Sequence, residues 1–91
     1  MNTLHTVNKP DQPLQLCLRA LNPDDAILLI EDGIYNITSH QIELQSIPQA
    51  IYVLADDLKA RGIKNHHYFT TVNYHEFAQL TEQYDRVLSW F

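Results

Sequence analysis

One side chain in the sequence carries nucleophilic sulfur, that of Cys17. Sulfur transfer through a persulfide needs a reachable cysteine that ionises near neutral pH, because the thiolate is the reactive form. Arg19 is close in sequence, but on a helix i and i+2 point apart, so it is a poor activator. Cys17 also falls among Leu14, Leu18 and Leu21, which share one helical stripe with it. A cysteine in such a stripe reads as a small core residue with a raised pKa. The residues therefore leave two roles for Cys17, persulfide carriage and inert packing, and the stripe favours packing.

A second candidate is the run Glu31-Asp32-Gly33-Ile34-Tyr35, which follows an apolar segment. In doubly wound folds, ligands collect outside the carboxyl ends of the strands, and two carboxylates there could bind a metal or act as a base. The plainer reading is a strand-to-helix turn in which Asp32 caps the next segment and Gly33 supplies a conformation other residues resist. No third ligand stands at a recognisable spacing, so the turn is preferred. The five histidines, His5, His40, His66, His67 and His75, lack zinc spacings and a cysteine pair. With only Gly33 and Gly62, no glycine-rich phosphate loop can form. The expectation is no metal and no cofactor.

The elements that position these residues are short. Thr3–Val7, Ala26–Ile30 and Ala50–Leu54 are apolar runs without clean alternation, as strands buried on both faces of a parallel sheet read. Tyr68–Val72 and Arg86–Trp90 are two further strand candidates, mixing β-branched and aromatic residues. The Leu14-to-Leu21 stripe predicts a helix with Pro13 in its first turn and Asn22-Pro23 at its end. Asp56–Gly62 reads as a short helix with acids first, bases last and a closing glycine. Asn73 is placed to cap a helix through Tyr84, with Glu76 completing a capping box. Its apolar face is expected to hold Tyr74, Phe77, Ala78 and Thr81, with Leu80 and Tyr84 nearby. Between Gly33 and Pro48 the pattern predicts a helical turn or two and a β-excursion around Ile42–Leu44. Alternating strands and helices specify a single three-layer α/β domain over residues 1–91, with a five-stranded, mostly parallel sheet and helices on both faces.

A chain of 91 residues buries only about 60–65% of the surface its unfolded form exposes, so its core is thin. Association with other subunits is one remedy; a lone cysteine excludes internal disulfides. The terminal Leu88-Ser89-Trp90-Phe91 lacks a polar tail, and Trp90 and Phe91 are read as an interface anchor, with Trp90 also able to close the core. A formal charge of −5 argues against a broad nucleic-acid face. No apolar stretch approaches the roughly 20 residues of a membrane helix, and no signal peptide is seen, so a cytoplasmic location with no membrane contact is expected.

Taken in order, several stretches resemble the TusB/DsrH family: Leu4-His5-Thr6-Val7, Leu29-Ile30-Glu31-Asp32-Gly33-Ile34-Tyr35, Tyr52-Val53-Leu54, Asp57-Leu58-Lys59-Ala60-Arg61-Gly62 and Val87-Leu88-Ser89-Trp90. Val72-Asn73-Tyr74-His75-Glu76-Phe77 is similar to the family's Val-Asp-Tyr-x-x-Phe, with asparagine in the capping position. The resemblance spans the whole chain and implies the same five-stranded fold. It implies an accessory subunit of a sulfur-relay complex with TusC-like and TusD-like homologous subunits, two copies of each. Such a complex passes persulfide sulfur through a small carrier toward 2-thiolation of the wobble uridine of tRNA, its main acceptor cysteine lying on the TusD-type subunit. Cys17 matches a cysteine of DsrH-type members, which keeps open a sulfur-oxidation subunit with Cys17 as sulfane-sulfur carrier. From a different class, a stand-alone homo-oligomeric binding module would also fit this fold.

Overall fold

The structure, a computed structural model, describes residues 1–64 and 68–91. The histidine pair His66-His67 lies outside the described residues. Strands β1 (Thr3–Val7), β2 (Ala26–Leu29), β3 (Ala50–Leu54), β4 (Thr70–Val72) and β5 (Arg86–Trp90) form one sheet in the order β4-β3-β2-β1-β5. Every neighbouring pair is parallel. The expected architecture holds, with helices on both faces.

Handedness fixes which helix covers which face. From β1 to β4 the chain steps across the sheet in one direction, so right-handed crossovers place its connections on one side. These are α1 (Gln12–Ala20), a 3-10 turn (Glu31–Tyr35) leading into α2 (Asn36–Ser39) and α3 (Gln41–Gln45), and α4 (Ala55–Ala60). They bury Leu14, Cys17, Ile34, Ile37, Leu44 and Leu58 against Val7, Ile27, Leu29, Ile51 and Val53. The return from β4 to β5 runs the other way and puts α5 (Tyr74–Gln83) on the opposite face. There Leu80, with Phe77 and Tyr84, packs on Leu4, Ala26, Leu28, Leu54 and Val72. Odd and even residues of β2 and β3 thus serve different cores, which is why their sequences show no polar face.

Local rules account for the ends of the elements. Asn73 Oδ1 accepts the Glu76 N–H at 2.8 Å and Glu76 Oε1 accepts the Asn73 N–H at 2.9 Å, the expected capping box. At the end of α4, Gly62 adopts φ 62°, while the Gly62 and Ile63 N–H groups reach back to the carbonyls of Lys59 and Leu58. That is a Schellman closure, sealed by Ile63 packing on the core that holds Leu58.

Three expectations are corrected. Ile42–Leu44 is helical: Leu44 lies seven residues from Ile37 and both are buried, while Ile42 faces solvent, so a helical face overrides the local alternation. Strand β4 begins at Thr70, leaving Tyr68 and Phe69 ahead of it. On α5 the buried face centres on Leu80, and Tyr74 and Ala78 are exposed. Among the described residues no helix is long and apolar enough to cross a membrane.

Gly33 is required by proximity. A Cβ there would lie 2.0 Å from the Val7 carbonyl oxygen, a backbone atom that cannot swing aside. Gly62 has open space around it, and only its left-handed backbone resists a side chain. Urea unfolding should therefore separate the two: Gly33→Ala loses about 3 kcal/mol or more, by overpacking against backbone. Gly62→Ala should lose about 1–2 kcal/mol, for its left-handed conformation alone. Equal losses would contradict this assignment.

Candidate functional site

Cys17 has no exposed surface and lies in the core under α1. Burial, reinforced by the negative charge of Asp25, pushes its thiol up to about 12. A thiol so placed is protonated at neutral pH and out of reach of a donor, in keeping with the packing role.

The loop after β2 is closed by its own charges. Arg61 donates through Nε and Nη2 to Asp32 Oδ1, at 3.1 and 3.0 Å. Arg61 Nη1 also lies 3.7 Å from Asp57 Oδ1, and Asp57 Oδ2 accepts the Glu31 N–H at 2.6 Å. The expectation that Asp32 caps the next segment is therefore corrected: the 3-10 turn starts after Ile30 with no side-chain cap, and Asp32 accepts from Arg61 beyond α4. Nor does Gly33 carry the unusual backbone, which falls on Glu31 at φ 50°. The glycine is needed because the turn rides directly over the end of β1.

Asn36 binds the neighbouring loop. It is wholly buried, donating through Nδ2 to the carbonyls of Lys9 and Gly33 and accepting the Asp11 N–H at Oδ1, at 3.0–3.1 Å. His40 joins the same loop, with Nε2 2.8 Å from Asp11 Oδ1 and Nδ1 2.6 Å from Glu43 Oε2. Hydrogen bonds to Asp11 and then Glu43 raise its pKa above the ordinary imidazole range. The polar groups at this end of the sheet are thus largely spent on one another. Among the described residues, no cluster of three or more His, Cys, Asp or Glu is placed to hold a metal ion.

The polar feature that sequence reasoning missed lies inside the sheet. His5 of β1 and Asp25, just before β2, are almost fully buried, with His5 Nε2 2.8 Å from Asp25 Oδ2. Trp90 Nε1 donates to His5 Nδ1 at 3.0 Å, with the two rings 20° from parallel. An indole N–H only donates, so Nδ1 must accept, and the ring proton sits on Nε2 and is given to Asp25. The main-chain N–H groups of Thr3 and Asn22 also bond Asp25. Burial alone would raise the Asp25 carboxyl, but the Asn22 N–H, His5 and the Thr3 N–H together hold it below the usual carboxylate range. A histidine held by a carboxylate can activate a nucleophile, yet here its second nitrogen meets an indole N–H and the ring has 1% exposure. The arrangement ties the start of β2 and the end of β5 to β1. The sequence offered half of the signal, because a histidine inside a buried strand needs a buried partner; the partner follows only from the register, in which Leu4↔Ala26 brings Asp25 next to Thr3, on the face that His5 shares.

Of the terminal pair, Trp90 is half-buried and held by His5, while Phe91 is 79% exposed. Val87 and Leu88 of β5 are also partly exposed, at 42% and 37%.

A protein-family model described as DsrH like protein matches residues 9–87. The chain is 35% identical over 94 residues to Protein TusB of Serratia proteamaculans, covering 96% of this chain and 99% of that one. It is 32% identical over 91 residues to Protein TusB of Salmonella arizonae, covering 94% of each. Among solved structures, the crystal structure of the ychN protein from E. coli shares the fold, with a TM-score of 0.67 at 18% identity over 98% of this chain and 97% of that one. The solution structure of Protein Tm0979 from Thermotoga maritima gives a TM-score of 0.62 at 25% identity, covering 91% and 93%.

Two predictions follow from the geometry. Trp90→Phe keeps an aromatic ring but strands the buried Nδ1 of His5, so denaturant unfolding should show a loss of about 1–3 kcal/mol. An unchanged midpoint would mean the bond contributes nothing. His40 has a raised folded-state pKa, so its stabilisation is complete below about pH 6.5 and is lost as pH rises through the elevated value. Its carboxylate partners are exposed, which keeps the effect modest. Thermal melts should show this downward slope in the native chain and its absence in His40→Gln.

Proposed function

The chain belongs to the TusB/DsrH family, and from that premise we propose that it is an accessory, structural subunit of a cytoplasmic sulfur-relay complex. In this reading it assembles with TusC-like and TusD-like homologous subunits, two copies of each. The assembly moves persulfide sulfur through a small carrier toward 2-thiolation of the wobble uridine of tRNA, and this chain does not grip the tRNA. Phe91 and the open side of Trp90 contribute to the contact with a partner subunit.

The observation that carries the accessory role is the state of Cys17. The chain's only cysteine is sealed in the core, with its thiol pushed up to about 12. A subunit built this way supports acceptance of sulfur by a cysteine on a different subunit. The same burial speaks against the sulfur-oxidation reading in which Cys17 carries sulfane sulfur. The net charge of −5 supports the absence of a tRNA-gripping face.

Co-expression with TusC-like and TusD-like subunits tests the assembly: light scattering is expected to show one stable complex, and separate partners would overturn the reading. In a strain lacking the native gene, Cys17→Ser is expected to sustain tRNA 2-thiouridine at close to the native level. Lost thiouridine with the complex intact, together with an adduct of about 32 Da on Cys17 after exposure to a persulfide donor, would make this chain a carrier.

A further inference from the structure

Both ring nitrogens of His5 are engaged: Nε2–H is given to Asp25, and Nδ1 accepts the Trp90 indole N–H. The ring centroids lie 6.1 Å apart while the bonded nitrogens lie 3.0 Å apart, so the rings meet through these nitrogens and not face on face. The Nδ1 lone pair is the one place where this ring can take a further proton, and Trp90 occupies it. An imidazolium donates at both nitrogens. Its Nδ1–H would meet the indole N–H donor against donor, and the indole face is not placed to receive the cation.

The groups around the ring decide which bond gives way. Against the pull of burial, the Asn22 N–H, His5 and the Thr3 N–H hold the Asp25 carboxyl below the usual carboxylate range, so it stays ionised while imidazoles titrate. A proton taken up here therefore rests on His5 and pairs with Asp25, the pairing a buried charge requires. Asp24, beside Asp25, and Arg19 of α1 are exposed. Cys17 of α1 feels the Asp25 charge but stays a neutral thiol, and β2 and β3 bring only Ile27 and Ile51 into register with His5. On β5 the charge is Arg86, whose Nε donates to Thr3 Oγ1 at 3.2 Å. On the other face Tyr84 stays a neutral phenol, raised first by burial. Trp90 is held more lightly than Asp25: it is half-buried, and its carbonyl accepts the Asn8 N–H at 3.3 Å.

We propose that the His5–Trp90 contact is a proton-operated latch: Nδ1, on taking a proton from solvent, expels the indole, keeps the bond to Asp25 and frees the end of β5. The bonds from Thr6 to Ser89 and from Arg86 to Thr3 hold the rest of the strand, so the release is local. Linkage makes the effect reciprocal, and whatever draws Trp90 away makes His5 easier to protonate. The latch is internal to the chain and goes beyond the relay role.

Trp90 is the only tryptophan, so its single indole N–H resonance reports the bond directly. In the isolated chain, taken from about pH 8 to about pH 5 across the imidazole range, that resonance is expected to leave its hydrogen-bonded position while far-UV circular dichroism stays constant. An indole that stays bonded throughout, or is lost only when the whole chain unfolds, overturns the proposal. Trp90→Phe removes the competitor for Nδ1, so the His5 ring-proton titration should move its midpoint up by about one pH unit, the equivalent of one hydrogen bond. Equal midpoints in the two chains overturn it as well. His40→Gln should leave the Trp90 transition in place; its disappearance there would assign the proton to His40 and sink the latch. Each readout uses the isolated chain, so failure here leaves the relay role standing, and failure of the complex to assemble leaves the latch standing.

Discussion

Right-handed crossovers decide how this sheet is covered. Three connections wind the same way and lie together over Val7, Ile27, Leu29, Ile51 and Val53. One helix of ten residues, α5, is left for the other face, and it must also carry the chain from β4 back across the sheet to β5. A helix is about 10–12 Å wide and five strands span about 19 Å, so it cannot cover every strand equally. Leu28, Leu54 and Val72 are covered, whereas β5 stays largely open. The exposed terminal strand is a consequence of winding direction and helix count.

An edge strand covered so thinly needs other means of attachment. Beyond its ladder with β1, it is held by Trp90 to His5, Arg86 to Thr3, and Ser89 to Thr6. His5 in turn is fixed by Asp25, whose carboxylate also ties the start of β1 to the turn before β2. One buried carboxylate therefore orients the ring that receives the indole of the last strand. Polar groups in such a site are favourable only when all are satisfied, and His5 and Asp25 are.

Most of this fold was legible because its elements follow local rules. Leu14, Cys17 and the later leucines announce α1, the Asn73–Glu76 pair starts α5, and Gly62 ends α4. β1, β3 and β5 matched to the residue, since β-rich runs bounded by turns leave few alternatives. What could not be read depended on contacts distant in the chain. Asp32 resembled a cap until Arg61, 29 residues on, came within hydrogen-bond reach. Gly33 invited an argument about backbone freedom, when the constraint was the Val7 carbonyl oxygen beneath it. The His5–Asp25–Trp90 contact joins residues 20 and 85 positions apart, and only the strand order places them together. The burial of Cys17 was legible because the apolar stripe that announces it lies within one helix.

The sealed thiol has a consequence for the chemical environment in which the chain can operate. A cysteine thiolate attacks glutathione disulfide, hydrogen peroxide and alkylating reagents in proportion to its thiolate fraction and its access, and Cys17 offers neither while the fold is intact. Mixed disulfides and sulfinic damage should therefore accumulate on other proteins before they reach this one. Labelling of Cys17 would then report opening of the domain, giving the chain an internal gauge of its own unfolding.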